Sequence, residues 1–174
     1  LFRRQIQGGS TITQQLVKSA FLSPEPTVVR KMKEVILAFW AERRYSKNQI
    51  LELYLNYVPY GGTAWGIESA ADIYFGKKVQ DLDLAESAFL AGLPQSPSVY
   101  SPFFGNGTLW KKRQREVLNA MKNQGYITSA QEAQASGEEL TFKSPRVPLR
   151  APHFVMYVRD LLIQKFGLSE AERG

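Results

Sequence analysis

Apolar residues recur at three- and four-residue intervals along most of this chain, the spacing of α-helices that bury one face. Ser10 to Leu22 reads as a helix stopped by Ser23-Pro24. Val28 to Arg44 reads as the next, because Val28, Met32, Val35, Ile36, Phe39 and Trp40 recur at helical spacing. Ser46-Lys47-Asn48-Gln49 has the form of a capping box, a hydroxyl followed three residues later by an amide, and opens a helix of Ile50, Leu51, Leu53, Tyr54 and Leu55. That helix should end near Pro59, with Gly61-Gly62 in a loop. Thr63 to Phe75 is rich in small residues, which suits close helix packing, and Asp83 caps a short buried helix through Leu93. Pro94 to Gly107 is a proline-punctuated loop. From Thr108 a basic amphipathic helix turns Trp110, Val117, Leu118 and Met121 inward until Gly125, and Thr128 to Ser136 is one more short helix. Leu140 to Pro152 holds three prolines and reads as a strand or linker, and Phe154 to Phe166 is a further helix closed by Gly167. The expected fold is mainly α, with one short β element near the C-terminus, and the expected division is a core over 1–136 and a junction over 137–174.

Composition narrows the partners. At 174 residues the chain is long enough for one domain with a core of its own, and 44% hydrophobic residues argue for a folded globule. A net charge of +6 favours an anionic partner, whether nucleic acid, a lipid head group or a phosphorylated substrate. The absence of cysteine excludes disulfides and thiolate metal sites, and a single histidine, His153, argues against a His-based metal site or a Ser-His-Asp triad. His153, flanked by apolar residues, reads as packing. No apolar run approaches the roughly 18–20 residues of a membrane span. The chain begins at Leu1 rather than Met, which reads as a piece of something longer.

The chemistry concentrates near the N-terminus. Gly8-Gly9-Ser10-Thr11-Ile12-Thr13-Gln14-Gln15-Leu16-Val17-Lys18 carries hydroxyls, amides and a cation where an ordinary surface helix would carry alternating Glu and Lys. Ser10 or Thr11 can cap the helix, and Thr11 and Gln15 share a face with Lys18. The next helix presents Arg30, Lys31, Lys33 and Glu34. Arg30 and Lys31, four and three residues away, lie beside the Glu34 carboxylate, whereas Lys33 points about 100° away from it. Such a set suits a large anionic, sugar-bearing ligand better than a metal or a flat cofactor. The plainer reading is an Arg30–Glu34 pair on a solvated face, worth about 0.2–0.5 kcal/mol. Glu52 and Asn56, one turn apart, read as structural, and Glu86 in an apolar helix reads as a buried, paired carboxylate. The basic run Lys111, Lys112, Arg113, Arg115 fits a lipid or nucleic-acid contact or, more commonly, a solvated face.

These stretches resemble the signature motifs of glycosyltransferase family 51, the peptidoglycan glycosyltransferases that occur in class A penicillin-binding proteins and as monofunctional enzymes. Gly8 to Gln15 resembles the second motif, Arg30-Lys31-Met32-Lys33-Glu34 the third, and Ile50-Leu51-Glu52-Leu53-Tyr54-Leu55-Asn56 the fourth. Ala71 to Lys77 and Leu84 to Pro94 match the fifth. The resemblance implies a lysozyme-like helical fold and polymerisation of lipid II into β-1,4 glycan strands, with inversion and release of undecaprenyl pyrophosphate. It makes Glu34 the second essential carboxylate. Ser10, Thr11 and Gln15 become sugar or phosphate ligands, and Lys18, Arg30, Lys31 and Lys33 phosphate ligands. It also implies lipid II, the growing glycan chain, a membrane surface, moenomycin-type inhibitors and a following transpeptidase domain as partners, on the outer face of the bacterial cytoplasmic membrane. Arg150-Ala151-Pro152-His153-Phe154 resembles the path toward that transpeptidase. No cofactor is required by the resemblance, although Mg²⁺ or another divalent cation can bridge phosphate oxygens.

Two departures stand out. The family's catalytic base is a glutamate in a first motif that precedes the Gly-Gly-Ser-Thr stretch, and Leu1 to Gln7 contains no acid; this polypeptide alone is therefore expected to be inactive. At position 26 the family usually has an arginine, and here Pro26 follows Glu25, while Ser19 stands where many members have Asn. A lysozyme-like muramidase or lytic transglycosylase is the alternative enzyme, although inverting hydrolysis needs a second carboxylate to activate water. A basic helical nucleic-acid-binding module is the alternative of another class, without a helix-turn-helix register, zinc ligands or a stacking motif to support it.

Overall fold

A computed structural model describes residues 10–21, 27–103 and 108–143, together with 157, 158, 161, 164 and 165. The chain divides into two compact units, Leu1–Lys143 and Ser144–Gly174. The described residues of the second unit are helical. Positions 24–26, including Pro26, and the segment around His153 lie outside the described residues.

The first unit is helical, with one small antiparallel strand pair. Helix α1 spans Ile12–Phe21, α2 Val28–Arg44 and α3 Lys47–Tyr57. Each starts where a side-chain oxygen meets orphan amides: Thr11 accepts from the Gln14 amide at 3.2 Å, Thr27 from Arg30 at 3.1 Å and Ser46 from Gln49 at 3.3 Å. Gln49 also accepts from the Ser46 amide at 2.9 Å, closing the expected capping box. Strands β1 (Pro59–Gly61) and β2 (Ala64–Trp65) form a hairpin in the stretch read from sequence as a loop and the start of a helix. The β element of the described residues is therefore here, and residues 140–143 are irregular. Helix α4 begins only at Ile67 and ends at Phe75; α5 covers Leu84–Gly92, α6 Pro97–Tyr100, α7 Leu109–Asn123 and α8 Ser129–Gly137.

The core sits between α4, α5 and α7. Phe89 of α5 is 2% exposed and meets Tyr74 and Trp110 edge-on, at centroid distances of 5.4 and 5.6 Å. Phe142 closes this cluster against Phe89 and Trp110, each at 5.0 Å. Such pairs each contribute about 0.5–1.5 kcal/mol beyond area burial. The buried Tyr74 hydroxyl donates to the Tyr60 carbonyl at 2.9 Å, tying α4 to the hairpin. Gln114 Nε2 donates to the Ala85 carbonyl at 2.8 Å, locking α7 onto α5. Glu86 is buried and paired with Lys77 at 2.7 Å, and accepts from the Asp83 amide at 3.2 Å. Asn56 Nδ2 donates to the Glu52 carbonyl at 2.9 Å, a purely structural contact.

Helix α2 reverses the expectation that its pattern suggests. Its apolar stripe is open, with Val28 79%, Met32 61% and Trp40 67% exposed, whereas Glu34 and Ala38 are its buried residues. The face that meets α1 and α3 is narrow and partly polar.

Gly66 shows how tightly the hairpin is fitted. Its φ is +76°, and a Cβ there would stand 2.6 Å from the Asn56 carbonyl oxygen. Gly62, at φ +55°, has open space around the same position. Gly66→Ala is expected to cost about 3 kcal/mol, from strain plus overlap, and Gly62→Ala about 1 kcal/mol from backbone conformation alone. Urea denaturation of the two variants checks this; a larger loss for Gly62→Ala would contradict it.

Candidate functional site

A cavity of about 440 Å³ opens among α1, α2, α3, the end of α5 with the turn after it, and α7. It is lined by Ser10, Gln15, Lys18, Glu34, Tyr54, Ala91, Pro94, Gln95 and Arg113. Residues from both ends of the first unit thus meet in one concavity, and most of them are polar.

Its innermost charge is Glu34, 2% exposed. A carboxylate so buried requires a cation and hydrogen bonds. Lys31 supplies both, donating to Glu34 Oε1 at 2.5 Å and reaching Ser10 Oγ at 3.4 Å. The carboxylate is therefore held from i−3 inside the protein, not on the solvated face of the plainer reading. Gln15 is oriented from two sides: its Nε2 donates to the Ser10 carbonyl at 3.4 Å, and its Oε1 accepts from the Tyr54 hydroxyl at 3.3 Å. Burial pushes the Tyr54 hydroxyl above its ordinary range. The Tyr60 hydroxyl is raised too, by burial and by neighbouring Tyr54. Behind this wall, Thr13 donates to Glu42 at 2.7 Å and Glu42 pairs with Lys47 at 2.9 Å, clamping α1 to α2 and to the start of α3. Lys47 and the Thr13 hydroxyl together hold the Glu42 carboxyl below its usual range.

The residues singled out from sequence divide into three groups. Ser10, Gln15, Lys18 and Glu34 line the cavity, and Lys31 joins them through Glu34. Thr11 is exposed, caps α1 through its contacts with Gln14, and is not among the described residues that line the cavity. Arg30 and Lys33 are not among the lining residues; Lys33 is exposed, on the side that its angular offset from Glu34 predicts. Tyr54, Ala91, Pro94, Gln95 and Arg113 were not singled out for the site. Tyr54, Ala91 and Pro94 lie within motif-like stretches, but Arg113 was legible only as one cation in a basic helix.

Residues 1–122 match the family model described as transglycosylase. The chain belongs to the transglycosylase family. It is 43% identical over 164 residues to penicillin-binding protein 1A of Aquifex aeolicus (strain VF5), covering 94% of this chain and 22% of that protein. It is 42% identical over 170 residues to penicillin-binding protein 1A of Escherichia coli (strain K12), covering 97% and 20%. The crystal structure of penicillin-binding protein 1A from Haemophilus influenzae matches with a TM-score of 0.57 and 26% identity, over 96% of this chain and 21% of that one. The chain thus spans about a fifth of the length of these relatives. As a member of the transglycosylase family it is a mainly helical glycosyltransferase domain, and the expected fold class holds.

The Lys31–Glu34 pair gives this transglycosylase-family cavity a measurable signature. With side chains 52% and 3% exposed, loss of the lysine strands the carboxylate. Lys31→Met is expected to cost about 1–2 kcal/mol, less than a fully buried pair because Lys31 is half open. Adding Glu34→Gln should recover most of that loss. A double-mutant cycle by urea denaturation checks it, and simple additivity would show that the two residues are not coupled.

Proposed function

We propose that this chain forms glycan strands from lipid II, and that the cavity holds the diphosphate-linked sugars at which the transfer occurs. The observation that carries the reading is Lys18 and buried Glu34 in one polar cavity, within a transglycosylase-family chain. In the reaction, the 4-hydroxyl oxygen of the lipid II acceptor forms a bond to the anomeric carbon of the growing chain. The bond from that carbon to the undecaprenyl pyrophosphate oxygen breaks, and its electron pair leaves with the pyrophosphate. The acceptor proton passes to a general base. An α-linked donor so attacked yields a β-1,4 link.

Lys18 is the cation that faces the departing phosphate, where a fixed positive charge counts most. Glu34 fixes Lys31 beside Ser10, and Gln15, oriented by Tyr54, offers its amide to a sugar or phosphate oxygen. Arg30 and Lys33 add to the positive field around the site. By the resemblance the base is a glutamate of the family's first motif, a motif that Leu1 to Gln7 does not match. Among the described residues no group of three or more His, Cys, Asp or Glu could hold a metal, and no step of the reading is drawn through one. No helix among the described residues is long and apolar enough to cross a membrane. The reading places the domain at the outer face of the bacterial cytoplasmic membrane, with residues 137–174 leading to a transpeptidase domain. Moenomycin-type phosphoglycolipids are expected to occupy the same cavity.

The hydrolase alternative requires a second carboxylate across the cleft, and among the described residues lining the cavity Glu34 is the only acid. The family match does not favour it, nor the nucleic-acid-binding alternative.

The test uses the intact protein and fluorescent lipid II, with polymer resolved on gels. Lys18→Ala and Glu34→Gln are each expected to slow polymerisation by about 10²-fold or more, with melting temperatures close to the parent's. Parent-like rates in both variants would refute the proposed site.

A further inference from the structure

Arg113 is the cation of α7 that the basic run does not explain. Lys111, Lys112 and Arg115 are exposed, whereas Arg113 is partly buried and lines the cavity with Lys18 and Glu34. Its stem crosses Gly92, the last residue of α5: a Cβ on Gly92 would stand 2.8 Å from Arg113 Cγ. The guanidinium is also held at two points. Nε donates to the Gly92 carbonyl at 3.4 Å, and Nη1 pairs with Glu116 at 3.0 Å. A guanidinium has five N–H donors in a planar fork. These two contacts leave further donors, and the side chain is 26% exposed.

We infer that Arg113, seated over Gly92, is a ligand-binding residue that receives an anionic group of the substrate distinct from the one facing Lys18, with Gly92 as its positioning residue. This rests on the reading of the cavity as a site for lipid-linked diphosphate sugars. Lys18 comes from α1 and Arg113 from α7, so the two cations approach a bound ligand from different walls of one cavity, and a ligand with two anionic groups can meet one with each. A second phosphate and a carboxylate of the peptide stem both meet that description. The planar fork suits either, because both present paired oxygens. Glycine at position 92 is then required for the ligand-binding side chain to lie where it does, not for backbone conformation, since a side chain there would push the Arg113 stem aside.

The test is binding of two fluorescent probes to the intact protein by anisotropy: lipid II with its pentapeptide, and the same lipid-linked disaccharide without peptide. Arg113→Ala is expected to weaken binding about tenfold or more, the scale of a lost charge-assisted hydrogen bond, and Arg113→Lys to fall between it and the parent. Loss with both probes supports the inference and assigns the anion to phosphate. Loss with the peptide-bearing probe alone supports it and assigns the anion to a stem carboxylate. Gly92→Ala should match Arg113→Ala, and the double variant should bind no worse than Arg113→Ala. A lower melting temperature with unchanged affinity for both probes overturns the inference, and additive losses overturn the role of Gly92. If the parent protein binds neither probe, the reading of the cavity itself falls, and this inference with it.

Discussion

A carboxylate that is almost sealed from solvent dictates the arrangement around it. Glu34 is 2% exposed, and a charge in that position is tolerable only when a cation and hydrogen bonds replace water. Lys31 meets that need and in doing so reaches Ser10. The start of the first helix is thereby joined to the middle of the second through one ammonium group. Lys18 and Gln15 follow on the same wall because they are carried by that first helix. The polar cavity is in this sense a consequence of how one acid is buried.

The rest of the first unit holds that wall in place. Thr13, Glu42 and Lys47 form a polar clamp where α1, α2 and α3 converge, so the helices are registered by specific bonds rather than by apolar contact alone. On the other side the aromatic cluster around Phe89 and Trp110 fixes α5 and α7, whose adjoining ends bring Pro94, Gln95 and Arg113 to the cavity. Membership in the transglycosylase family, shared with much longer penicillin-binding proteins, gives this two-walled cleft its chemical meaning. On the proposed reading, a departing diphosphate calls for positive charge on a rigid frame, which helices can supply without reorganising during the reaction.

The exposed stripe of α2 and the buried Glu34 are two aspects of one orientation. Hydrophobic periodicity identifies a helix equally well whichever way it faces. With Met32 and Trp40 open and Glu34 enclosed, the second helix turns its acid inward and leaves much of its apolar stripe exposed.

Local signals were enough for the longer helices. The capping residues Thr11, Ser46, Asp83 and Thr128 stand where hydroxyl or carboxylate side chains precede apolar periodicity, and the helices begin there because unpaired amides need an acceptor close in sequence. The order of the motif-like stretches was likewise legible, and with it Ser10, Gln15, Lys18, Lys31 and Glu34. What the chain could not reveal locally was which of several equivalent groups turn inward. The Gly61-Gly62 hairpin needed the positive φ of Gly66 and its packing on Asn56, a contact ten residues away in sequence. Thr11 and Gln15 share a helical face, yet only Gln15 meets Tyr54, and that contact spans thirty-nine residues. Arg113 looks like its basic neighbours until Gly92 is laid beneath it. Short-range periodicity and capping determined the helices, because their energetics lie within a few residues. Burial of charge, orientation of α2 and membership of the cavity were decided only by tertiary packing, because desolvation depends on neighbours far away along the chain.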